Sequence, residues 1–133
     1  MNILFLGSGN VATHVALAIH KTEHRIVQVY SRKKASAAAL GNRLGVPYTH
    51  LVEEIMQDAD LYIYAVSDDA LTSLVSLNIA PQAMHVHTAG SVAMDIFKGY
   101  KKHYGVLYPL QSLSKDKAID FKRFLCCWKH RMR

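Results

Sequence analysis

The chain has 133 residues and a formal charge of +6, with half of its residues hydrophobic; that is enough for one domain with a buried core. No apolar run approaches the roughly 18 residues a membrane span needs, and the N-terminal run Ile3–Leu6 is too short for a signal-peptide core, so a cytoplasmic protein without a membrane partner is expected. The charge is concentrated in a tail: five basic residues and no acid lie from Phe121 to Arg133, leaving eleven basic and ten acidic residues in the rest, which argues against a nucleic-acid partner for the body of the chain.

The elements alternate in type along the chain. Asn2 to Leu6 is an apolar run ended by Gly7, as suits a strand buried on both faces. Asn10 to Ile19 places Val11, Val15, Ala18 and Ile19 at helical spacing. Arg25 to Tyr30 is a second strand, Lys33 to Leu44 an alanine-rich helix stopped by Gly45, and Val46 to Thr49 a short third strand. Leu51 to Met56 is expected as a short helix, Leu61 to Val66 as the fourth strand and Asp69 to Leu77 as the next helix, with a turn at Pro81. Met84 to Thr88 is a fifth strand, Ser91 caps a helix running to Lys98, and Tyr104 to Tyr108 is a sixth strand stopped by Pro109. The fold class is therefore α/β, a doubly wound and mainly parallel six-stranded sheet. Ligands in such sheets bind outside the carboxyl ends of the strands.

Five stretches fall at those ends. Gly7 to Ala12 has the form GxGxxA between a strand and a helix. Gly7 permits the tight turn, Gly9 lets backbone approach a pyrophosphate and Ala12 lets the helix pack closely. The N–H groups from Ser8 and Asn10 to Val11 then point at phosphate. This is the dinucleotide-binding fingerprint of a Rossmann-type domain, the alternative being merely a tight strand-to-helix turn.

At the end of the second strand, Ser31, Arg32, Lys33 and Lys34 stand where a cofactor lacking the ribose phosphate meets an acid. A hydroxyl and three cations suit a 2′-phosphate instead, with Arg32 as the guanidinium. This favours NADP over NAD; the alternative is a solvated first helical turn. In Ala65 to Ala70, Val66 and Ser67 reach the sheet edge and Asp68 or Asp69 can cap the next helix.

In His87 to Ser91, Thr88, Ala89 and Gly90 would form a small-residue floor beside the nicotinamide. His87 is a candidate proton donor there, weighed against a packing histidine. Tyr108 and Gln111 would lie beside the reactive ring, weighed against a tyrosine packed under a proline-stopped strand. His14, His20, His24, His50, His85 and His103 have no metal-ligand spacing, so no metal is expected.

Together, G-S-G-N-V-A, V-Y-S-R, A-V-S-D-D-A, H-T-A-G-S and Y-G-V-L-Y-P-L-Q-S resemble a group of bacterial Rossmann proteins provisionally described as oxidoreductases. That group is related to pyrroline-5-carboxylate reductase and the deazaflavin-dependent NADP oxidoreductases, and the resemblance covers about Met1 to Phe121. It implies that residues Gly7 to Val11 and Ser31 to Arg32 bind NADP, and that Val66 to Asp68 and Thr88 to Gly90 line the nicotinamide side. It also implies NADP-dependent hydride transfer to a small imine or carbonyl substrate, of unknown identity, and a homodimer built through a helical C-terminal domain. A non-catalytic Rossmann module that senses a nucleotide is the alternative.

The tail departs from the resemblance. An NAD(P)-binding domain is expected over residues 1–121, and residues 122–133 hold Cys126, Cys127 and the single tryptophan, Trp128, among basic residues. The chain from Arg123 onward is expected to be read out of frame, since a shifted reading of one possible coding of Lys122 to Arg133 gives an apolar, strand-like stretch; the alternative is a genuine basic tail, disordered or binding a membrane or nucleic acid. The helical dimerisation domain is expected to be absent, and the chain by itself to bind cofactor without turnover.

Overall fold

The structure, a computed structural model, describes residues 1–89 and 92–107. Gly90, Ser91, Tyr108, Gln111 and the tail from Lys122 to Arg133 lie outside the described residues. The strands are β1 (Asn2–Leu6), β2 (Arg25–Tyr30), β3 (Tyr48–Thr49), β4 (Leu61–Tyr64), β5 (Met84–His87) and β6 (His103–Val106). The helices are α1 (Asn10–His20), α2 (Lys34–Leu44) and α3 (Asp68–Val75).

The strands form one sheet in the order β3-β2-β1-β4-β5-β6, and every described pair is parallel. This is the doubly wound order whose chain direction reverses beside β1, which opens a crevice between the ends of β1 and β4. The expected Rossmann-type fold is the observed one.

Two cores flank the sheet, because alternate residues of each strand point to opposite faces. On the first face Ile3, Phe5, Val29, Leu61, Ile63 and Val86 meet Ala12, Val15, Ala16 and Ile19 of α1 and Leu40 and Leu44 of α2. Ile19 and Val15 are wholly buried; each such side chain contributes about 2 kcal/mol by leaving water. On the second face Leu4, Leu6, Tyr62 and Tyr64 meet Leu71, Leu74 and Val75 of α3, together with Ile79 and Phe97.

The structure corrects several element bounds. Leu51 to Met56 forms only a single 3-10 turn, Val52–Glu54, because the Gln28 side chain takes the Glu54 carbonyl and the Met56 N–H out of any helical ladder. The segment given to a helix through Lys98 is likewise one 3-10 turn, Met94–Phe97. Its Lys98 N–H closes back on Asp95 and the chain leaves at Gly99 with φ +88°. β4 stops at Tyr64, two residues early, and α3 begins at Asp68 and ends at Val75 rather than Leu77. Its cap is Ser67, whose hydroxyl accepts from the Ala70 N–H at 3.4 Å, and not Asp68 or Asp69, which occupy the first turn. β6 begins at His103, one residue ahead of the expected start.

Candidate functional site

At the carboxyl edge of the sheet a cleft of about 950 Å³ runs from the glycine turn to the end of β5. Gly7, Ser8, Gly9, Asn10 and Val11 line it, as do Ser31, Arg32 and Lys33, Val66, Ser67 and Asp68, and Thr88 and Ala89. The structure therefore gathers four stretches that the chain separates by some twenty to thirty residues.

The glycine turn has two different glycines. Gly7 sits at φ +117°, and a Cβ there would collide with the Ala65 carbonyl oxygen and stand 2.9 Å from Val66 Cγ1. Its N–H donates to the Tyr30 carbonyl at 2.7 Å, which ties the turn to the neighbouring strand. Gly9 has an ordinary extended backbone and is the N-cap of α1. A Cβ on Gly9 would meet nothing within 4 Å, so the space above the turn is open to a ligand. α1 starts with neither a side-chain cap nor an acid in its first turn, and its first N–H groups offer partial positive charge at that opening.

The second strand end is cationic. Ser31 is tied to the sheet through its N–H, which donates to the Thr49 carbonyl at 3.1 Å. Arg32 and Lys33 are exposed on the cleft wall. α2 begins at Lys34 after an uncapped Lys33, again with no acid in the first turn. Cations at a helix N-terminus oppose its dipole, a cost that a bound phosphate would remove. The far wall is acidic, with Asp68 and Asp69 in the first turn of α3, where negative charge complements the dipole. The open turn, the uncapped α1 and the cationic corner fit the phosphates of a dinucleotide.

His87, the last residue of β5, is fully buried and is not among the residues lining the cleft. Its Nδ1 receives the Ala89 N–H at 3.0 Å and its Nε2 faces the Ala93 carbonyl at 3.4 Å. Burial holds its imidazole below the usual histidine range, partly offset by the Ala93 carbonyl and by Asp68. Among the described residues no group of three or more His, Cys, Asp and Glu could hold a metal ion, and no helix is long and apolar enough to cross a membrane.

Sequence reasoning missed part of the cleft wall. Tyr30, Val52, Ala65, Ala70, Ser73, Leu74 and Leu77 also line it. Ala70, Ser73, Leu74 and Leu77 stand at spacings of three and four, a helical stripe that was open to detection. Val52 belongs to a single 3-10 turn, which carries no periodic signal.

A family model described as NADP oxidoreductase coenzyme F420-dependent matches residues 2–92. No curated protein matches the chain. Among solved structures, a Bacteroides fragilis protein provisionally titled an NADP oxidoreductase is 39% identical with a TM-score of 0.76, over 80% of this chain and 43% of its own. The 1-pyrroline-5-carboxylate reductase of Streptococcus pyogenes is 15% identical with a TM-score of 0.64, over 79% of this chain and 39% of its own. An imine reductase from Myxococcus stipitatus in complex with NADP+ is 17% identical with a TM-score of 0.58, over 72% and 34%. The last two likenesses speak for the fold alone. The chain spans less than half the length of each of these structures.

Proposed function

The chain belongs to the family described as NADP oxidoreductase coenzyme F420-dependent, and from that membership we propose that it holds NADP(H) for hydride transfer to a small imine or carbonyl substrate. The observation that carries the reading is the single cleft joining the open glycine turn to the Ser31–Lys33 corner and to Thr88 and Ala89. When bound, the nicotinamide cofactor supplies the hydride, and the protein's task is to grip, select and orient it.

In this reading Gly7, Ser8, Gly9, Asn10 and Val11 hold the pyrophosphate through backbone N–H groups. Ser31, Arg32 and Lys33 hold the 2′-phosphate, with Arg32 as the planar, permanently charged partner. Val66, Ser67 and Asp68 line one side of the nicotinamide, and Thr88 and Ala89 form its floor. The whole protein acts as a cytoplasmic homodimer.

Calorimetric titration with NADPH and NADH tests this. The native chain is expected to bind NADPH more tightly, by about tenfold or more, and Arg32→Ala to erase most of that preference, since one charge-assisted contact is worth roughly 1.5–3 kcal/mol. A preference that survives the substitution overturns the assignment of Arg32. Binding of neither nucleotide overturns the cofactor reading.

A further inference from the structure

Among the described residues, the His87 side chain holds the turn that follows β5. Up to Thr88 the backbone still follows the sheet, with the Thr88 N–H donating to the Tyr64 carbonyl at 3.2 Å. At Ala89 the chain turns away, and its N–H goes to His87 Nδ1 instead of to a strand. The Val92 N–H then closes on the Ala89 carbonyl at 3.1 Å, and the Ala93 carbonyl comes back to His87 Nε2. One imidazole thus clips both limbs of the loop whose Thr88 and Ala89 form a wall of the cleft.

Only one tautomer serves both contacts. Nδ1 must accept from Ala89, so the proton resides on Nε2 and is donated to the Ala93 carbonyl. Neither nitrogen is left to deliver a proton to a substrate, and the ring is packed against Phe97 with centroids 5.7 Å apart. We propose that His87 is a positioning residue that fixes the Thr88–Ala89 wall against the cofactor, acting through the Ala89 N–H and not as a proton donor. The inference rests on the reading of the cleft as a nicotinamide-nucleotide site.

Two substitutions test it. His87→Phe keeps a ring in the pocket but removes both hydrogen bonds and leaves the Ala89 N–H without an acceptor. His87→Asn places an amide oxygen near the position of Nδ1 and keeps that acceptor, while losing ring packing. NADPH affinity is expected to fall about tenfold in His87→Phe, the size of one lost hydrogen bond at a half-buried donor, and the Ala89 amide to exchange with solvent faster. In His87→Asn affinity and exchange protection are expected to return to near native values although its Tm is lowered. A merely structural role predicts that affinity follows Tm across both variants; a proton donor predicts unchanged affinity in both. Either pattern overturns the inference while native binding stands. A native protein that binds neither nucleotide overturns the cofactor reading and this role with it.

Discussion

The two faces of the sheet are built on different principles. The face under α1 and α2 is aliphatic apart from Phe5, and its cohesion is close packing. The face under α3 carries polar rings in its core. Tyr64 donates its hydroxyl proton to His85 Nδ1 at 2.8 Å, and His85 Nε2 meets the Ala80 carbonyl at 2.8 Å. Tyr62 stacks on His85 and donates to the Met56 carbonyl at 2.6 Å. The buried Lys101 amine donates to the carbonyls of Leu77 and Ile79. Among the described residues no buried side-chain nitrogen or oxygen lacks a partner. Such a network is stabilising only while every member keeps its proton in place. One face should therefore be sensitive to volume and the other to pH.

The largest expected effect is steric. Gly7→Ala forces a Cβ onto the Ala65 carbonyl at a φ of +117°, where neither backbone can yield. Backbone strain and overpacking each cost roughly 1–3 kcal/mol, so a loss of about 4 kcal/mol is expected in urea unfolding. Gly9→Ala is the control. Its φ is −77° and nothing lies within 4 Å of the added carbon, so stability should fall by no more than about 1 kcal/mol, the cost of a poorer N-cap residue. NADPH titration should nonetheless weaken about tenfold, because the methyl group occupies the space the pyrophosphate needs. Equal stability losses in the two variants would erase the distinction between a glycine required by the fold and one required by the ligand.

Acid should act on the opposite face. Burial, only partly offset by the Ala80 carbonyl, pushes the His85 pKa down from 6.5 to about 4. The unfolded chain therefore binds the His85 proton below pH 6.5 while the folded chain does not, so stability falls as pH drops from about 6.5 to 4. A shift of this size corresponds to about 3 kcal/mol in full. His87, lowered in the same direction, adds to the slope. Denaturation at steps between pH 7 and 4.5 measures it. His85→Leu should be less stable at pH 7 but show a shallower acid slope, and an unchanged slope would remove His85 as its source.

This contrast also explains what was legible in the sequence. The aliphatic face announces itself: Ile3 and Phe5, then Val15 and Ile19, recur at the periods of a strand and a helix. The glycine turn and the Ser31–Lys33 corner could be placed because each directly follows such an element. The polar network could not, since Tyr64, His85 and the Ala80 carbonyl come from three separate segments. One signal was present. L-Y-I-Y and M-H-V-H alternate in step, and β4 and β5 pair in that register, so Tyr62 meets His85 and Tyr64 meets His87. The failed helices have the same origin. Val92 and Ile96 stand four apart as on one helix face, but the described residues between β5 and β6 form a 3-10 turn, Met94–Phe97, anchored by the wholly buried Phe97.

The smallest expected effect falls at the end of β4, where the chain passes from the strand to α3. Ser67 holds an extended backbone, and its hydroxyl takes the Ala70 N–H at a long 3.4 Å. Loss of an N-cap costs about 0.5–2 kcal/mol. Ser67→Ala should sit at the bottom of that range, because the bond is long and exposed and Asp68 and Asp69 still complement the dipole. Yet Ser67 also lines the cleft. A loss of NADPH affinity larger than this small loss of stability would mean that the hydroxyl meets the cofactor as well as the helix. Equal, slight changes in both would leave Ser67 as a cap alone, and would assign the acidic wall of the cleft to Asp68 and Asp69.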